Sequence, residues 1–147
     1  MYGDTAVMRR RAASLREQAA DLRRTADHLV AQAEAVDWTG RAAEGMRTRI
    51  RERAAHLREV AGLHDTAADS LDLHGAEVDR LKDGIADRER RAEALVADAR
   101  TRAGRLESSQ AAGAARIEPT EDDSALVAFV PPPAGHRDWL TVDLPGL

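Results

Sequence analysis

Histidines and acidic residues are the first side chains to weigh for chemistry. The five histidines are His28, His56, His64, His74 and His136. No two stand at the i, i+4 spacing that puts a pair of ligands on one helical face, and no His-Glu-x-x-His occurs. Asp65, Asp69 and Asp72 do share a face, and a solvated acidic stripe is expected there, not a metal site. Ser14, Ser70, Ser108, Ser109 and Ser124 lack the glycine setting of a nucleophile elbow. There is no phosphate-cradling glycine loop, and without cysteine there is neither thiolate chemistry nor a Cys-based zinc site. A regular helical surface gives catalytic groups little concave space in which to be preorganised. The chain is therefore expected to be no enzyme, with no catalytic residues, no cofactor and no metal.

Composition points to long helices as the elements that position what remains. Hydrophobic residues make up 43% of the 147 positions but aromatics only 3%, so a core must come from Ala, Leu and Val. Charged residues reach 33%, the mixture of coiled coils and long helices. The net charge of −4 is spread with both signs interleaved, which argues against a nucleic-acid or membrane-surface binder. Lys82 is the only lysine, a usage that hints at a GC-rich bacterial source. No apolar run approaches the roughly 20 residues needed to span a bilayer, and Met1–Asp4 does not open a signal peptide. A soluble protein without membrane insertion is expected.

Proline divides the chain. Pro119 is the first, followed by Pro131, Pro132, Pro133 and Pro145; an interior proline costs a helix about 3 kcal/mol. Before it, apolar residues keep a heptad. Met8, Leu15, Leu22, Leu29 and Val36 stand seven apart, with Ala12, Ala19, Ala26 and Ala33 between them. Helix 1 is expected over about 5–36 with Asp4 as N-cap. Asp37-Trp38-Thr39-Gly40 interrupts the pattern, Thr39 or Asp37 offering a cap and Gly40 the freedom to turn. From Arg41 the heptad restarts in Ile50, Leu57, His64, Leu71, Val78 and Ile85, alternating with Ala54, Ala61, Ala68 and Gly75.

Two such seams joined by a short turn predict an all-α fold: a long antiparallel, coiled-coil-like hairpin over 1–115. Its extended second helix runs over about 41–112, and a Pro-rich, non-helical tail fills 116–147. A stop at His74-Gly75 with a third helix over 76–113 is the alternative. It would crowd Asp65, Asp69 and Asp72 at a helix C-terminus, where the dipole disfavours negative charge. His64 falls on the seam, expected to be partly buried and hydrogen-bonded across it, a pH-sensitive joint being the other reading.

Beyond the reach of helix 1, Val78, Leu81, Ile85, Leu95, Val96, Ala99 and Leu106 form a second apolar stripe. An amphipathic helix that buries nothing is unstable, so Val78, Leu81, Ile85, Leu95, Val96 and Leu106 are candidate partner-binding residues. In the tail, Ala125–Val130 reads as a short strand or extended docking segment, Pro131–Pro133 as polyproline, and Phe129, Trp139 and Asp143 as candidate export or docking residues.

Trp38-Thr39-Gly40 between two heptad helices, over roughly residues 5–85, resembles the turn of the WXG family. These small, early-secreted-antigen-like helical hairpins are tied to type VII secretion, and the likeness is to the actinobacterial branch. The resemblance implies a homodimer or heterodimer with another helical hairpin protein, packed as a four-helix bundle. It also implies residence in the cytoplasm followed by export without a cleaved signal, and contact with the secretion machinery as substrate, chaperone or adaptor. Trp38 and Gly40 match the family's turn pair; Trp38 is expected to close the end of the bundle with its ring. The family's Tyr-x-x-x-Asp/Glu export motif is missing, since Tyr2 is the only tyrosine and Ala6 holds its fourth place. Trp139-Leu140-Thr141-Val142-Asp143 is the nearest substitute. A cytoplasmic coiled-coil scaffold or adaptor unrelated to secretion, docking through its tail, is the alternative.

Overall fold

The structure, a computed structural model, describes residues 4–147; Tyr2 lies outside the described residues. All regular elements among them are helical: α1 (Thr5–Ala35), α2 (Arg41–Ala111), α3 (Glu121–Ala128) and a 3-10 turn, η1 (Arg137–Thr141). No helix among the described residues is long and apolar enough to cross a membrane. Contacts divide the chain into two compact units, 1–79 and 80–147, and the division falls inside α2.

In the first unit, the Asp4 carboxylate starts α1 by accepting from the backbone N–H groups of Ala6 and Val7 at 2.9 and 3.3 Å. The helix ends where Val36 turns extended. Trp38 N–H then donates to the Val36 carbonyl at 2.8 Å. Gly40 takes φ +103°, closed to most side chains, and α2 begins at the next residue.

The two helices meet through their small residues. Ala12, Ala19 and Ala26 of α1 and Ala43, Ala54, Ala61 and Ala68 of α2 are wholly buried, and Ala33 nearly so. Leu15, Leu22, Leu29, Ile50, Leu57 and Leu71 are only half-buried. The large and small members of each heptad therefore play different parts: alanines set a close approach, and the leucines, too bulky for the gap, flank it.

Ion pairs run alongside in regular register. Arg9 pairs with Asp79, Arg16 with Asp72 at 2.8 Å and Arg23 with Asp65 at 2.5 Å. Each step of seven up α1 is a step of seven down α2. Asp27 with Arg58 and Glu34 with Arg51 continue the descent. Exposed pairs contribute little each, about 0–1 kcal/mol. α2 passes Gly75 without a break; Gly75 is buried beneath Met8, which a Cβ there would meet at an ordinary 4.0 Å.

The second unit corrects the reading of the tail. Residues 116–147 are neither wholly extended nor separate: they carry α3 and η1. They fold with the second half of α2, in the unit that begins at residue 80. Ala125–Ala128, expected in a strand or extended segment, belong to α3. The Thr120 side chain caps that helix by accepting from Asp123 N–H at 3.1 Å, and Glu121, Asp122 and Asp123 sit at its positive end. Eight residues are too few for helical periodicity to reveal. Leu126, Trp139 and Leu144 pack with Ile85, Ala92, Val96 and Ala99 of α2 in a small core, edged by Leu95, Phe129, Val142 and Leu147.

Candidate partner-binding surfaces

No basic residue stands in the last turn of α1, and its free carbonyls are met from the next helix. Arg47 donates through Nε to the Ala33 carbonyl at 3.3 Å. Its terminal nitrogens reach the Val36 and Trp38 carbonyls at 3.0 and 2.9 Å, and Glu44 at 3.0 Å. This guanidinium caps α1 and fastens the turn. Sequence reasoning missed it; an α1 C-terminus without a basic residue, followed by an Arg one turn into the next helix, was the available signal.

Trp38 stands in the turn between α1 and α2. It is 46% exposed and borders a shallow groove of about 640 Å³ with Arg41, Ala42, Gly45, Met46, Arg49 and Ile50. Exposed Val36 and half-buried Ile50 extend the row of large residues to this end.

Of the candidate stripe residues, Ile85 and Val96 are buried by the chain's own tail, and Leu95 packs at the edge of the same core. Val78 and Leu106 are half-buried, and Leu81 is exposed. The expected vacant stripe is thus partly filled from within. Among the candidate tail residues, Trp139 is 1% exposed. Its ring meets Phe129 edge-on at 6.1 Å, and its indole N–H donates to the Pro133 carbonyl at 3.1 Å. Asp143 is exposed.

Arginines on α2 hold the tail by its backbone. Arg88 donates to the Trp139 and Val142 carbonyls at 2.8 and 2.5 Å, and Arg91 to Gly146 at 3.1 Å. Glu89 accepts from Gly135 N–H at 3.3 Å. Arg102 binds both oxygens of Asp123, the nearest at 2.6 Å. Hydrogen bonding from Arg102, against some desolvation, holds the Asp123 carboxyl below its ordinary range, and the same contact raises the Arg102 guanidinium.

Asp65, Asp69 and Asp72 keep their side chains partly in solvent, as expected, and also serve as acids of the ion-pair ladder; Arg16 meets both Asp69 and Asp72 at 2.8 Å. His64 makes no hydrogen bond across the seam through Nδ1, which is buried and unpartnered among the described residues.

No protein-family model, no curated protein and no solved structure matches this chain.

Proposed function

We propose that this is a non-catalytic helical protein whose α1–α2 hairpin, with antiparallel arms, packs against a second hairpin to form a bundle. The partner is either another copy or a different helical protein. The observation that carries this reading is the pair of half-buried large rows, Leu15, Leu22 and Leu29 on α1 and Ile50, Leu57 and Leu71 on α2. Alanines are the residues wholly buried along the hairpin, while these larger side chains stay partly exposed and so leave apolar surface for another apolar face. Burying such area releases roughly 25 cal/mol per Å². Trp38 and Val36 continue the surface to the turn.

The resemblance of Trp38-Thr39-Gly40 to the WXG turn extends the proposal to type VII secretion, with the chain as substrate or adaptor, held in the cytoplasm before export without a cleaved signal. Trp38 gives the most selective test. Being nearly half exposed, it adds little to the hairpin itself, so Trp38→Ser is expected to leave melting within about 2 °C while weakening association by about fivefold or more. Unchanged association by sedimentation velocity would remove Trp38 from the interface. Detection in culture supernatant of a secretion-competent host supports the export role; strict retention favours the cytoplasmic scaffold. For that scaffold the tail is a poor free docking peptide, because its Trp139 is already engaged on α2.

A further inference from the structure

A cavity of about 230 Å³ opens between α2 and the tail, lined by Ala92, Val96, Ala97, Phe129, Pro131 and Trp139, with Glu93 and Arg100 also at its wall. Between Phe129 and Pro131 stands Val130, 84% exposed and the most exposed of the large hydrophobic residues described. An apolar hole and an apolar knob thus adjoin on one chain. Glu93 and Arg100 are one heptad apart, so they share a face of α2. They lie at equal distances in sequence on either side of the Val96–Ala97 midpoint, and neither has an ion-pair or hydrogen-bond partner among the described residues.

A face with that symmetry is complementary to itself. In an antiparallel copy related by a twofold axis near Val96–Ala97, each Glu93 meets the other copy's Arg100, and the small, exposed Ala97 allows close approach. We propose that a second copy of this chain docks here, each Val130 seated in the other's cavity. An unrelated helix would need the same charge order by coincidence, whereas this chain carries it. The surface uses only residues of the second unit and is independent of the hairpin pairing proposed above.

The test is a charge-swap cycle on the full chain by sedimentation equilibrium. Glu93→Arg and Arg100→Glu each set like charges opposite, and each is expected to weaken self-association by about tenfold or more while helicity is kept. An equimolar mixture of the two variants is expected to recover association near wild type, because unlike variants pair with each other. The chain has no cysteine, so Ala97→Cys gives a second readout: a disulfide-linked dimer on mild oxidation, lost when Glu93→Arg is added. A wild-type chain monomeric at about 100 µM, or a mixture no stronger than either variant alone, would overturn the proposal. If Trp38→Ser weakens association but the mixture does not recover, this interface falls and the hairpin reading stands.

Discussion

Arg47 does at the turn what no residue of α1 can do for itself. Its guanidinium satisfies three backbone carbonyls while its side chain is only 15% exposed, so removing it strips charged hydrogen bonds from a partly desolvated helix end. Arg47→Ala is expected to cost about 2 kcal/mol in denaturant unfolding. Arg47→Lys should recover only part of that, since an ammonium lacks the fork that reaches several carbonyls. Equal stability for Arg47→Ala would mean that water serves the carbonyls as well. The glycine of this turn was legible in the sequence, because a chain reversal between two heptads demands an open backbone position. Arg47 was not, because its role depends on carbonyls up to 14 residues away.

The elements show a similar contrast. Two long helices and an all-helical fold follow from heptads that run from Met8 to Val36 and again from Ile50 to Ile85, and the structure ends α1 and α2 within about two residues of where proline, glycine and apolar spacing suggest. The different roles of alanine and leucine were not legible, since a heptad states which residues face a partner helix but not how closely that helix approaches. The register was in reach: Arg9, Arg16 and Arg23 stand seven apart, as do Asp65, Asp72 and Asp79. α3 escaped because a helix of only eight residues is made by its cap and first-turn acids, not by periodicity. Gly75, at an alanine place in its heptad, gives a test at this scale. A Cβ there meets only Met8 at 4.0 Å, so Gly75→Ala should stabilise the chain by about 1 kcal/mol through helix propensity, read as a higher denaturant midpoint. A loss of stability would show that the helices are closer there than the register implies.

For the whole molecule, the tail was the least legible part, since its Trp139 and Leu126 gain meaning only against Ile85 and Val96, distant in sequence. Its attachment carries a pH signature. The Asp123 carboxyl is held below its ordinary range by Arg102, so the stability it lends is fully present above the unfolded aspartate value and is lost as pH falls through the lower, folded value. In a Trp38→Phe background, Trp139 fluorescence should therefore report a docked tail until pH drops below the usual carboxylate range, and Arg102→Gln should move that transition to higher pH. No shift on Arg102→Gln would place the acid-sensitive contact elsewhere. The central claim, that the half-buried leucine rows of the hairpin are completed by another helical protein, is tested most directly by the mass of the assembly. Sedimentation equilibrium of the full chain, alone and mixed with the product of the adjacent gene, should give a mass above that of the monomer in at least one case, and Leu15→Gln with Leu57→Gln should reduce it. A monomer mass in both cases, from about 1 to 100 µM, would contradict it.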